Sequence, residues 1–140
     1  MPYFGKLFVS PSSVRFLRKA SMGEVELNGE EISWEIQHWQ YPQQKDDVYG
    51  TWNIYVTIPV SWFDPKALEE DADPYLCCDA MPPCLGECTY ACRMGDTVRL
   101  GVDFAHGYDD KFYSVEEMMK KLNRSFSKWD FTNLPFSAED

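Results

Sequence analysis

The stretch "GEVELNGEEISWEIQHW", residues 23–39, limits the fold of this chain more than any other. Asn28-Gly29 supplies two neighbouring residues that tolerate positive φ, which a two-residue type I′ turn requires. The runs on either side alternate apolar and polar residues, the period of a half-buried strand. On the second arm Ile32, Trp34 and Ile36 point one way, and Ser33, Glu35 and Gln37 the other. The pattern predicts an antiparallel hairpin with one buried face. A lone hairpin is marginal in water, so further strands or a helix must cover that face.

The rest of the chain supplies them. "TWNIYVTIPVSWF" alternates again, with Trp52, Ile54, Val56 and Ile58 opposed to Asn53, Tyr55 and Thr57, until Pro59 ends regular pairing or marks an edge. "ECTYACRMGDTVRLGVDF" reads as a second hairpin, with strands over 87–93 and 97–104 and a turn at Met94-Gly95-Asp96. "YSVEEMMKKLNRSFSKW" has a Ser114/Glu117 capping box and an apolar stripe through Val115, Met118, Met119, Leu122, Phe126 and Trp129, so it predicts a helix with a core-facing side. Residues 3–9 read as an opening strand, "SPSSVRFLRKAS" as a short helix and "YPQQKDDVYG" as a loop. Asp64-Pro65 opens a short helical turn. Pro74, Pro82 and Pro83 make residues 72–86 irregular. The expected architecture is α+β: an antiparallel sheet of about four to six strands with one long C-terminal helix packed on it, in a single globular domain over residues 1–140.

Composition narrows the function. Of 140 residues 44% are hydrophobic and 16% aromatic, which provides the apolar area that disordered chains lack. The net charge of −10 repels nucleic-acid phosphates, so direct binding to DNA or RNA is disfavoured. Arg15, Arg18 and Lys19 are the candidate for a local basic face. Acidity serves solubility first; its sharper use is docking on a basic partner such as a nucleic-acid-binding protein. No apolar run reaches membrane-spanning length and no leader is evident, so the cytoplasm is the expected compartment.

All five cysteines, Cys77, Cys78, Cys84, Cys88 and Cys92, lie within "CCDAMPPCLGECTYAC". An odd count without a leader argues against a disulfide framework. No CxxC knuckle occurs, although a structural zinc could take Cys84 with one of Cys77 and Cys78. In a regular strand Cys88 and Cys92 would share a face about 13 Å apart, too far to chelate one ion unaided. Buried or partly buried free thiols are the favoured reading.

"RLGVDFAHGYDD" places Asp103, His106, Asp109 and Asp110 at the end of a strand. His106 could act as a general base oriented by Asp103 or Asp109, or as a ligand to a divalent ion. It is also the one base within reach of Cys88 or Cys92. The favoured alternative is structural: Asp103 bonds amides at the strand exit, His106-Gly107 turns the chain, and Asp109 and Asp110 approach the helix N-terminus. His38, in "EIQHWQY", is as readily a hairpin-end residue as a ligand. No phosphate loop, nucleophile elbow or HExxH motif is present.

The order of "YVTIPVSWF", "GECTYA", "RLGVDFAHGYDD" and "VEEMMKKL" resembles a group of small uncharacterised phage and prophage proteins. Their two central motifs read His-Gly-Gly-Leu-Thr-Tyr and Gly-Phe-Asp-x-x-His-x-x-Asp. Over residues 54–125, Gly86, Thr89 and Tyr90 match the first, and Gly101, Asp103, His106 and Asp109 the second. The first motif's His falls on Leu85 and its second Gly on Glu87, so a site built on that His does not carry over. The resemblance implies a mobile-element origin and a compact α+β fold.

These features lead to a non-enzymatic binding protein, an inhibitor of a host defence or regulatory system that docks through an acidic, aromatic-rich surface. One alternative is sequestration of a small signalling nucleotide, with Trp34, Trp39, Trp52 or Tyr90 stacking on the base and Arg93 or Arg99 pairing with phosphates. The other is a small metal-dependent hydrolase using Asp103, His106 and Asp109. The leading reading needs no cofactor.

Overall fold

The computed structural model describes residues 16–40, 51–104 and 114–133. Five antiparallel strands form one sheet: β1 (Phe16–Leu27), β2 (Glu30–Gln40), β3 (Thr51–Pro59), β4 (Cys88–Met94) and β5 (Thr97–Asp103), in the order β1-β2-β3-β5-β4. One helix, α1 (Val115–Ser127), and short 3-10 turns at Val60–Trp62, Pro65–Leu68, Pro74–Ala80 and Phe131–Asn133 complete the described residues. Mixed α+β architecture is therefore present, with strands predominating and a helix of 13 residues in place of the long one expected.

The Asn28-Gly29 turn is as expected, with φ of 51° and 81° at its two central residues. It fixes the β1–β2 register so that Val25 faces Ile32 and Gly23 faces Trp34. β2 then sets β3, and β3 sets β5, so that Ile36, Ile54 and Val102 form one row across three strands. Ile32, Ile36, Ile54, Val56, Ile58, Val98 and Leu100 are fully buried on that inner face. Met118, Leu122 and Phe126 of α1 join the same core. The Ser114 hydroxyl accepts from the Glu117 amide at 3.2 Å and caps the helix as the sequence predicts. Ser125, also fully buried, donates to the Pro83 carbonyl and ties α1 to the proline-rich segment. Trp62, Trp129 and Phe131 pack ring on ring where the chain leaves β3 and α1.

Three local expectations are corrected. Residues 16–20, expected in a short helix, belong to β1, because pairing with β2 outweighs an apolar spacing carried by only two residues. A register shift between Cys88 and Tyr90 leaves Thr89 as an extra residue, so Cys88 lies on the inner face opposite Val102 and Cys92 on the outer face opposite Arg99. Cys88 and Cys92 thus do not share a face. Third, Cys78 and Cys88 form a disulfide, their Cα atoms 5.6 Å apart, where free thiols were expected. The turn over Pro74–Ala80 packs on β4 and brings the two together. The expected strand over 3–9, the loop at 41–50 and the SAED tail lie outside the described residues.

Two outcomes follow. Ile54→Ala should lower the unfolding free energy by about 2–5 kcal/mol, measured by urea denaturation. Thiol titration of the unfolded protein should count three free cysteines before reduction and five after it.

Candidate functional site

The helix and core lie on one side of the sheet; the other side is built from the polar halves of the same alternations. Three cross-strand rows define it: Met22–Glu35–Tyr55–Gly101–Tyr90, Glu24–Ser33–Thr57–Arg99–Cys92 and Ala20–Gln37–Asn53–Asp103. At its centre the Arg99 guanidinium lies 4.0 Å over the Tyr55 ring and donates to Glu35 Oε1 at 2.9 Å. Stacking on one side and an ion pair at the edge use the planar group as few other side chains could. Gln37 donates to the other Glu35 oxygen at 3.0 Å, and Trp39 Nε1 donates to Gln37 Oε1 at 2.9 Å, so the network runs along β2 to an aromatic residue.

Gly101 makes this centre. A Cβ there would stand 2.7 Å from Tyr55 Cδ1 and Cε1, so glycine lets the ring lie flat across β5. Tyr90 then meets Tyr55 edge-on, with centroids 5.5 Å apart. A hydrogen bond with Cys92, followed by partial burial, raises the Tyr90 phenol above its ordinary range. Beside Arg99, Met22, Glu24, Ser33, Tyr55 and Thr57 border a cavity of about 330 Å³. Asn53 is 5% exposed; its amide donates to the Tyr55 hydroxyl, while its Oδ1 has no partner among the described residues. A buried acceptor without a donor is a cost, and it lies next to Asp103 in the third row.

The same face carries most of the exposed large apolar side chains: Leu17, Met22, Tyr90 and Met94, with Met22 69% exposed. Around them stand Glu24, Glu26 and Glu31, all exposed.

The predicted site residues divide between the two faces. Tyr90 and Arg99 lie together on the outer face. Trp52 is 3% exposed on the inner face, where it stacks on His38 with ring centroids 4.1 Å apart. Trp34 also faces inward, over Gly23, whose Cβ would stand 2.7 Å from the indole. Neither indole is placed to stack on a base arriving at the open face. Arg93 belongs to another cavity, of about 470 Å³, with Leu68, Glu69, Glu70, Cys77 and Ala91. It donates to the Leu68 carbonyl at 2.6 Å and the Gly95 carbonyl at 3.4 Å, beside two carboxylates that oppose a phosphate.

Asp103 closes β5 opposite Asn53; His106 and Asp109, with which it would form a catalytic or metal group, lie outside the described residues, as does Asp110. The disulfide withdraws Cys78 from the zinc set of Cys77, Cys78 and Cys84 and removes Cys88 as a nucleophile partner for His106. Cys77 is buried, its thiol donates to the Ala67 carbonyl, and burial raises its pKa against a smaller lowering by Arg93, whereas Cys84 is exposed. No three His, Cys, Asp or Glu residues form a metal-holding group among the described residues. No described helix is long and apolar enough to cross a membrane.

The Glu35–Arg99–Tyr55 centre was not identified from the sequence. The signal was available: strict alternation sets Glu35 and Tyr55 on the polar face, and a glycine interrupts the apolar run just after Arg99. Comparison with known proteins adds no further constraint: no family model, curated protein or solved structure matches the chain.

Burial raises the Glu35 pKa, but the hydrogen bonds from Gln37 and Arg99 and the Arg99 charge outweigh it, leaving the carboxyl below its ordinary 4.5. Because the folded value is depressed, the stabilisation is present above the unfolded pKa and is lost as pH falls through the folded one. Arg99→Gln should therefore raise the Glu35 pKa and move acid unfolding to higher pH, read by carboxyl NMR titration and circular dichroism. An unchanged Glu35 pKa would contradict the assigned cause.

Proposed function

We propose that this chain is a non-enzymatic binding protein of a phage or mobile element, an inhibitor of a host defence or regulatory protein that presents a basic surface. The observation that carries this reading is the outer sheet face, which combines exposed Met22, Tyr90 and Met94 with exposed Glu24, Glu26 and Glu31 in a chain of net charge −10. Polarisable and aromatic side chains anchor such an interface, and carboxylates set its partner's charge and the speed of encounter. Arg99 is held by Glu35 and Tyr55, so it shapes the face more than it adds positive charge to it. The mobile-element origin rests on the motif order through Gly86, Thr89, Tyr90, Gly101 and Asp103.

The inward Trp34 and Trp52, and the carboxylates beside Arg93, make a nucleotide the weaker ligand. A host-cell cytoplasm is the compartment that accompanies this function. The Cys78–Cys88 disulfide, the Tyr75 hydroxyl bond to the Thr89 carbonyl and packing hold Pro74–Ala80 to β4.

The test is affinity capture from host lysate, identification of the captured protein, and calorimetry with that protein purified. The expected partner has a basic surface and binds in a salt-sensitive way. Tyr90→Ala and Glu31→Lys should each weaken it by about tenfold or more. Salt-insensitive binding, or a partner indifferent to both substitutions, would overturn the proposal.

A further inference from the structure

Between β3 and β4 the chain makes two capped turns, and these enclose a space against β4. Asp64 Oδ1 accepts from the Lys66 amide at 2.9 Å and Asp73 Oδ1 from the Tyr75 amide at 3.0 Å, so each carboxylate opens a turn that begins with proline. The Pro65–Leu68 turn is then fastened at two points. Arg93 Nη1 donates to the Leu68 carbonyl at 2.6 Å, and the Cys77 thiol donates to the Ala67 carbonyl at 3.5 Å. All four of these residues border the cavity of about 470 Å³, a volume inside the range of about 300–1,000 Å³ usual for ligand pockets.

Ala67, Leu68, Ala72, Cys77 and Ala91 supply the apolar part of the wall. Their side chains are mostly small, and the backbone around them is held by its own hydrogen bonds, so the chain leaves this room unfilled. Cys77 is buried, and burial raises its thiol pKa against a smaller lowering by Arg93, which keeps the wall neutral there. The border is charged. Glu69 and Glu70 are exposed, as is the neighbouring Asp71, and none of the three has an ion pair or side-chain hydrogen bond among the described residues. Arg93, on the same border, is already engaged by the Leu68 and Gly95 carbonyls. Across residues 64–73 five carboxylates stand against one cation, Lys66.

We propose that this cavity is a docking site for a basic peptide segment of a partner protein, which inserts one aliphatic side chain and sets flanking Lys or Arg residues against Glu69, Glu70 and Asp71. Burial of the aliphatic chain supplies affinity, and the carboxylates select the partner and speed the encounter. The same three carboxylates repel a phosphate or an acidic peptide. A small alkyl cation carries one charge where three separate carboxylates stand, so a segment with several basic residues is the better match. The site shares none of Met22, Glu24, Glu26, Glu31, Tyr90 and Met94 with the outer sheet face, so it is a second and separate contact.

The experiment uses the purified full chain and three end-blocked peptides, Lys-Arg-X-Lys-Arg with X as Leu, Ile or Met, followed by amide NMR and calorimetry. At least one peptide should bind saturably, with shifts centred on Ala67, Ala72 and Ala91. Replacing its central residue by serine should weaken binding about tenfold or more, and so should Glu69→Lys/Glu70→Lys in the protein. Ala72→Leu, which fills the cavity, should do the same. Circular dichroism checks the fold of each variant; the charge reversal changes only exposed side chains and decides the matter if the filled variant does not fold. Absence of saturable binding by all three peptides overturns the proposal. So does binding that survives the serine replacement or the charge reversal, or shifts centred elsewhere on the chain. No host protein takes part, so the outcome is independent of what the outer face captures.

Discussion

Ile36, Ile54 and Val102 sit side by side on β2, β3 and β5, and almost no part of the three side chains reaches solvent. A sheet has a period of two, so fixing this row fixes both faces at every other position. A slip of one residue in any of the three strands would bury Glu35, Tyr55 or Gly101 in place of an aliphatic side chain. The register of the apolar row is therefore also the register of the polar one. The Arg99–Glu35–Tyr55 centre exists because the hydrophobic side of the same strands leaves it no other alignment.

Two glycines translate that register into shape, on opposite faces. Gly23 admits the Trp34 indole across β1 on the inner side, and Gly101 admits the Tyr55 ring across β5 on the outer side. In both cases a large aromatic ring takes the space of a neighbour's missing Cβ. The ring gains planar contact with backbone, and the sheet can carry aromatic residues on both faces without being forced apart. On the outer face this lays the Tyr55 ring flat enough for a guanidinium to rest on it.

Elements set by local chemistry were legible in the sequence. The Asn28-Gly29 turn, the Ser114–Glu117 cap and the alternation of β2, β3 and β5 depend on residues within a few positions of one another. What the sequence left obscure depends on partners far away along the chain. The strand at Phe16–Ala20 is held by residues 37–40, and the bulge at Thr89 by the opposing β5. The Cys78–Cys88 bond depends on a non-repeating turn folding back onto β4, which cysteine spacing cannot encode. The candidate site was legible in half: Tyr90 and Arg99 were singled out, yet Glu35 and Tyr55 looked like ordinary outward residues until cross-strand pairing joined them. Trp34 and Trp52 misled for the opposite reason, since aromatic rings that could stack on a ligand are equally good core.

The strand order also has a kinetic side. β1–β2 and β4–β5 are joined by turns of a few residues, and such hairpins form on microsecond timescales. β3 and β5 are neighbours in the sheet, yet the chain leaves at Pro59 and returns at Thr97, opposite it. Closing that excursion is the long-range step, and its entropy must be met before the row through Ile54 and Val102 yields any burial. The meeting of β3 and β5 along one seam is thus the contact with the largest separation in the sheet. Substitutions at the seam, such as in Val56 or Leu100, will slow folding, whereas those confined to the outer ribbon edges will chiefly hasten unfolding.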